Sequence, residues 1–456
     1  MGCEGASAYR VIVINPCGAS PAARPDMKLL AFSAAASLLV LALNGCSMTS
    51  QKPDSPQIAP GSTSRPVLSG IEAAGFTPAR YFAQSGSLSA PVNDPWRPQA
   101  LTLADVTPDF TVGAGARFAT VQQAVNAAIA SGKRTRQFIR IAPGTYNGAI
   151  YVPINAPALT LYGAGKPDDV KIQLTLDART KPDVYIAAVN PAGQFKARDP
   201  AWTMYNTCAT LPADKVIDTP CAAVMWSQAD DLQLANFSIV NTLLDTVDAE
   251  THQAVALRID GDRNQLENMR LISRQDTFLI NAGEAPTAAN KLGTYPTDKI
   301  ARAYVRNSYV EGDIDFVFGR ANAVFDGCEF RAVSTRKADR AVIFAPDTVP
   351  ASSLGFLVIN SRITGDKGFE GSGKVYLGRS WDQGAGGTGY LVGQSPNGQI
   401  VIRDSYIDTS IKAATPWDQA ATTNRPHKGN ITPQRNLDDP AFNRLWEYNN
   451  YGPGAR

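Results

Sequence analysis

Between residues 118 and 133 the chain reads FATVQQAVNAAIASGK, with Val121, Val125, Ala128 and Ile129 recurring at helical spacing. This spacing predicts an amphipathic helix that Gly132 can close. Beyond it the period shortens. Runs rich in β-branched and aromatic residues follow one another, broken by Gly, Asn, Asp and Pro: FIRIA (138–142), AIYV (149–152), LTLYG (159–163), VKIQLTL (170–176), LQLANFSIV (232–240), NQLENMRLI (264–272) and ARAYVRNSYV (301–310). AVFDGCEF (323–330), LGFLVINSRI (354–363), KVYLG (374–378), GYLVG (389–393) and QIVIRDSYI (399–407) continue the series. Each has the composition of a strand. A second, shorter helix is expected near Ser69–Phe76.

The runs recur at roughly 20–30 residues per unit, the spacing of a solenoid with inserted loops. Many short strands also suit a sandwich or a barrel. Two features favour a parallel β-helix. Tight hairpin signals are few, although Asn147-Gly148 and Asp260-Gly261 exist. The chain is also long for one compact core, whereas a solenoid core grows by adding rungs. The expected fold is therefore all-β, a parallel β-helix whose N-terminal end is capped by the helix at 118–133.

One stretch, GDIDFVFG at 312–319, sets two carboxylates among apolar residues. Strand alternation predicts Ile314, Phe316 and Phe318 on the inner face, with Asp313, Asp315 and Val317 facing a groove. An ionised carboxylate buried alone would be very costly. Taken in isolation, the stretch also suits an ordinary edge strand with solvated acids.

Composition narrows the function classes. The 456 residues are 44% hydrophobic and 18% charged, with a net charge of +2, so nothing draws the chain towards nucleic acid. His252 and His427 are the only histidines, and metal or Ser-His-Asp chemistry would rest on one of them. From Met27 the sequence MKLLAFSAAASLLVLALNGCS has one Lys, an apolar run and small residues before Cys46. The run is short for a membrane span and reads as a signal peptide. Its LNGC ending resembles a bacterial lipobox, which implies lipidation of Cys46, with Ser47 implying sorting to the outer membrane. A cleaved signal with a free cysteine is the alternative. The expected organisation is an over-extended start (1–26), a lipoprotein signal (27–46), a flexible Ser/Pro-rich tether (47–66), an N-terminal extension (67–104) and a catalytic domain (105–456). In an oxidising periplasm Cys208 and Cys221 can close a small loop as a disulfide, while Cys328 reads as a buried apolar residue.

Four motifs occur in order: HQAVAL (252–257), SRQDTF (273–278), GDIDFVFG (312–319) and LGRSW (377–381). With PGTYNGAIYVP (143–153), LTLYGAG (159–165) and EYNNYGPGA (447–455), the chain from about 105 to 455 resembles the pectin methylesterase family. Within it, the chain looks like the enterobacterial outer-membrane lipoprotein branch. The resemblance implies a right-handed parallel β-helix and carries roles by motif. Asp315 would be the nucleophile and Asp276 the general acid/base. Gln253 and Gln275 would hold the oxyanion, Arg379 would hold Asp315, and Trp381 would contact the sugar. These residue types suit those roles. A carboxylate nucleophile splits ester hydrolysis into two easier steps. Its partner must start protonated, and burial beside a second carboxylate favours that. Side-chain amides donate to a developing oxyanion, and an indole face suits a sugar ring.

Spacing agrees with stacked rungs. Gln253 and Asp276 lie about one rung apart, and the longer interval to Asp315 contains the loop NAGEAPTAANKLGTYPTDK (281–299). Gln275 and Asp276 are adjacent, so both serve one site only if the chain bends between them.

Blander readings apply elsewhere. His252 is expected to be structural, since no G-x-S-x-G occurs. DGDRN (260–264) opens like a calcium loop but lacks its later residues and reads as a turn. Trp381 alone suits packing equally well, and Tyr185, Phe195, Tyr205 and Met225 are either cleft or core. The expected activity is demethylation of pectin or methylated oligogalacturonides with release of methanol, without cofactor or metal. The enzyme is expected to be a monomer anchored to the outer membrane and facing the periplasm. Rival readings are an esterase or thioesterase of the same fold acting on another substrate, a calcium-dependent pectate lyase, and a non-catalytic carbohydrate-binding solenoid.

Overall fold

Residues 302–306, 309–312 and 317–319 show how the chain makes one turn. Each of these strands enters a different sheet, and the next turn repeats the pattern with residues 322–326, 329–332 and 341–346. A computed structural model describes residues 59–283 and 297–455. Within them, three parallel sheets of ten, eight and seven strands stack into a β-helix.

The register explains the core. Leu161, Leu234, Leu266, Val305, Phe325 and Val358 stand in line on the ten-stranded sheet. Ile172, Ile239, Leu271, Val310, Phe330 and Ile363 do so on the eight-stranded sheet. Met225, Leu257, Phe278, Val317 and Phe344 form the third column, and all three columns join one buried cluster. Apolar side chains thereby stack along the axis, aromatic beside aliphatic, and each rung buries the apolar face of its neighbours.

Several runs that read as single strands are two strands meeting at a corner. LQLANFSIV divides into Gln233–Ala235 and Ser238–Asn241, with Asn236 between them. Asn236, Asn268, Asn307 and Asn360 occupy this corner on different rungs, with φ of 60°, 54°, 48° and 52°. Asparagine tolerates this left-handed conformation better than most residues. Asn268 Nδ2 also donates to Asn236 Oδ1 at 2.8 Å. GYLVG (389–393) is not a strand. Gly389 and Gly393 adopt φ of 72° and 74°, and the segment turns with Leu391 and Val392 exposed.

The helix Val121–Ala130 forms as expected, with a Thr120–Gln123 capping box at its start. Its Val121, Ala124, Val125 and Ala128 close one end of the core. A short helix, Gly70–Ala73, is capped by Ser69. Leu68, Phe76, Tyr81 and Phe82 around it cover Val324, Leu357 and Val401, which face outward from the ten-stranded sheet. Of the tether expected over 47–66, residues 47–58 lie outside the described residues, and 59–66 contact the C-terminal part of the chain. Ala59 N donates to Ile431 O, and Arg65 binds both carboxylate oxygens of Glu447 at 2.8 Å.

An excursion between Leu174 and Ala223 carries the helices Pro182–Val189, Trp202–Ala209 and Asp218–Cys221. Its Tyr185, Phe195 and Tyr205 pack over Trp226, Leu279 and Phe318 on the outer face of the seven-stranded sheet. Met225, by contrast, belongs to the interior. Cys208 and Cys221 are joined, with their sulfurs 1.98 Å apart, and Cys328 is buried and free. Cys46 lies outside the described residues.

Candidate active site

The residues singled out by motif converge on the outside of the seven-stranded sheet. Gln253 and Gln275 form a parallel bridge on adjacent rungs, just before the strands Val255–Ile259 and Phe278–Ile280. Asp276 follows directly. Its N–H donates to Ile314 O at 3.0 Å, and Phe278 N donates to Phe316 O at 2.9 Å. Asp276 and Asp315 are therefore equivalent positions on neighbouring rungs, which lie about 4.8 Å apart.

Both aspartates break the strand. Asp276 has φ 65° and Asp315 has φ 49°. The bend that Gln275 and Asp276 need to share a site is thus present. The same bend at Asp315 overturns the simple alternation expected for GDIDFVFG. Val317 points into the interior core, whereas Phe318 points outward into the excursion's cluster. The strand itself is only Val317–Gly319. Phe316 remains inward, as expected.

Asp313 departs furthest from expectation. It neither lines a groove nor meets solvent, being 0% exposed. Arg336 Nε and Nη2 hold its two oxygens at 2.7 and 2.9 Å, and Oδ1 also accepts from Ile314 N at 2.6 Å. The charge is stabilised by a partner that lies beyond the nucleophile motif, which is why alternation alone misplaced it.

Around Asp276 and Asp315 the polar groups interlock. Arg379 reaches across the intervening strand Ala341–Pro346, and its Nε and Nη2 donate to Asp315 Oδ1 and Oδ2 at 2.8 and 2.7 Å. This is the bidentate fork that a guanidinium offers a carboxylate. Gln253 Nε2 donates to Asp276 Oδ2 at 3.0 Å. Gln275 Oε1 accepts from His252 N at 3.2 Å, which turns its NH2 group the other way. Burial, and then the charge of Asp315, push the Asp276 carboxyl well above the usual carboxylate range. Trp381 stands edge-on to Phe318 with ring centroids 5.4 Å apart, so packing and exposure meet in one indole.

The histidine is structural in its contacts. His252 Nδ1 lies 2.6 Å from Asp177 and Nε2 lies 3.0 Å from Asp248. In DGDRN, Asp260 bonds Trp226 Nε1 and Arg258, while Asp262 bonds Arg302. Among the described residues no group of three or more His, Cys, Asp or Glu side chains could hold a metal ion.

Phe318, Arg336 and Asp313 are the site neighbours that sequence reasoning missed or misplaced. For Phe318 the available signal was the aspartate two residues before Val317, because Asp accepts positive φ and can shift the alternation. Nothing local announced the pairing of Arg336 with Asp313.

The likeness to solved structures places the chain among the parallel β-helix carboxylic ester hydrolases. It superposes on rice weevil pectin methyl esterase with a TM-score of 0.75 at 39% identity, covering 88% of this chain and 100% of that one. With the crystal structure of Escherichia coli YbhC the TM-score is 0.78 at 42% identity, covering 89% and 100%. A family model described as Pectinesterase matches residues 292–388. Pectinesterase B of Dickeya dadantii is 53% identical over 92% of this chain and 96% of its own length. The chain belongs to the pectinesterase family.

Proposed function

We propose that the protein demethylates pectin or methylated oligogalacturonides, with Asp315 as nucleophile and Asp276 as general acid and then base. Asp315 attacks the ester carbon, and the side-chain amides of Gln253 and Gln275 donate to the oxyanion that forms. Collapse of this intermediate breaks the bond to the methoxy oxygen, which takes the proton of Asp276 and leaves as methanol. The substrate acyl group is then an anhydride with Asp315. Asp276, now a carboxylate, takes a proton from water as the water attacks the anhydride. This step frees the galacturonate and restores both aspartates. Arg379 orients Asp315 throughout, and Trp381 offers an apolar face to the sugar ring.

The observation that carries this assignment is the asymmetry of the two carboxylates. Asp276 is buried and pushed towards its protonated form, while Asp315 is gripped by a guanidinium. Two like groups whose surroundings separate them in this way suit an acid and a nucleophile. The test is methanol release from polymeric pectin and from short methylated oligogalacturonides, side by side. Release from either supports the activity. Unsaturated products, or methanol release abolished by EDTA and restored by calcium, would contradict it.

Export belongs to the same proposal. Cys46 is lipidated after cleavage following Gly45, and the enzyme faces the periplasm from the outer membrane as a monomer. The Cys208–Cys221 disulfide supports an oxidising compartment. Mass spectrometry of the mature N-terminus tests this, and an unmodified Cys46 would contradict it.

A further inference from the structure

We propose that Arg336 is a positioning residue that holds the Gln253 side of the site and the Asp315 side in register. The inference rests on the catalytic roles proposed above. Arg336 is 8% exposed, and its guanidinium has two sets of partners. Nε and Nη2 hold Asp313, two residues before Asp315, at 2.7 and 2.9 Å. Nη1 donates to the backbone carbonyls of Asp248 and Glu250 at 3.2 and 2.6 Å.

Those two carbonyls belong to the loop that runs into His252 and Gln253. The loop follows the strand Ser238–Asn241 and precedes Val255–Ile259, so it has no regular ladder to fix its course. It is fastened instead from the side by three consecutive residues. Thr335 Oγ1 donates to Asp245 at 2.7 Å, Arg336 takes the two carbonyls, and Lys337 Nζ donates to Ala249 O at 3.1 Å. Just beyond these anchors the loop delivers its two contacts with the site. His252 N fixes the Gln275 amide at 3.2 Å, and Gln253 Nε2 meets Asp276 at 3.0 Å.

One planar group therefore joins the approach to the nucleophile with the approach to an oxyanion donor. A buried ion pair is weak evidence of stability, because desolvation offsets much of its attraction. Here its geometry does something that an apolar pair could not, since the guanidinium satisfies a carboxylate and two carbonyls at fixed angles. Lysine would keep the charge opposite Asp313 but has no fork to span all four acceptors. Reacting groups tolerate little displacement, and a misplacement of about 1 Å costs on the order of a hundredfold.

The test compares full-length Arg336→Lys and Asp315→Asn with the unmodified protein in methanol release from a methylated oligogalacturonide. Rates are taken per folded molecule, with the folded fraction measured by circular dichroism. For Arg336→Lys we expect kcat to fall on the order of ten- to a hundredfold. KM should stay within about threefold and the shape of the pH profile should be unchanged, because the titrating groups remain. Unchanged kcat in folded Arg336→Lys, or a loss confined to KM, would overturn the positioning role. A merely structural role would lower the folded fraction and leave kcat per folded molecule intact. If Arg336→Lys does not fold, the double variant Asp313→Asn with Arg336→Gln removes both buried charges and carries the same expectation. Activity in folded Asp315→Asn would instead sink the catalytic assignment, whatever Arg336→Lys does.

Discussion

Asp276 and Asp315 occupy equivalent places on adjacent rungs, and both turn the chain through left-handed backbone, with φ of 65° and 49°. Each leaves the strand alternation at the same point, so two carboxylates separated by 39 residues of sequence come to lie about one rung apart. Their proximity is what lets the charge of Asp315 add to burial in raising the Asp276 carboxyl.

The contribution of Asp276 and Asp347 to folding stability should fall as pH rises above the ordinary aspartate range. Burial and the charge of Asp315 raise the Asp276 carboxyl, and burial raises Asp347 to about 6. Between about pH 3.9 and these raised values each of these two carboxyls binds more protons in the folded protein than in the unfolded chain, so raising pH erodes their contribution. Burial lowers His427 to about 3 and makes its contribution run the other way. Asp276→Asn removes one of these two carboxyls. Relative to the unmodified protein, its stability should be greater at pH 7 than at pH 4, as measured by urea denaturation at both. A difference independent of pH would contradict the assignment.

The coupling should also be visible in Asp276 itself. Asp315→Asn deletes the second largest cause of its raised pKa while leaving burial in place. The Asp276 carboxyl should then titrate at lower pH, though still above the ordinary range, by carboxyl-region infrared or carbon-13 spectroscopy. Asparagine is the appropriate replacement because it tolerates the left-handed backbone.

Much of this architecture was legible in the residues. The helix Val121–Ala130, with its Thr120 cap, announces itself through period and capping chemistry alone. Most of the strand runs fall where their composition puts them. Their division into two strands at a corner asparagine has no local signal, because Asn236 or Asn268 inside a β-rich run reads as a polar position on one strand. The motif residues Gln253, Gln275, Asp276, Asp315 and Arg379 come together on the outside of the seven-stranded sheet. Asp313 was misplaced because its environment is set by Arg336, 23 residues further on. Long-range pairing of this kind leaves no mark in the local pattern. The helical excursion was equally silent, since its aromatic residues are core only in relation to a sheet face assembled from distant strands.

The disulfide should steady the excursion. Cys208 and Cys221 are separated by 13 residues, and a closed loop of that size contributes about 3 kcal/mol through the unfolded state. Cys208→Ser with Cys221→Ser should lower stability by that order in urea denaturation. Unchanged stability would mean that the excursion holds through its aromatic packing alone.

Asp313→Asn should destabilise more than its distance from the reacting ester suggests. The substitution leaves the Arg336 guanidinium buried opposite a neutral amide, and breaking a buried pair in this way costs about 3–5 kcal/mol. Denaturation of this variant should show a loss of that size. A loss below about 1 kcal/mol, as for an exposed pair, would contradict the buried contact.

Methanol release by folded Asp315→Asn tests the central claim most directly. The substitution preserves shape and backbone but removes the nucleophile, and catalysis by a unit of interacting residues collapses when one is lost. On a methylated oligogalacturonide the unmodified protein should release methanol, and Asp315→Asn should be slower by about 10³-fold or more. Asp315→Asn protein with native circular dichroism that turns over within about tenfold of the unmodified enzyme, a difference of only about 1.4 kcal/mol in the barrier, would contradict it.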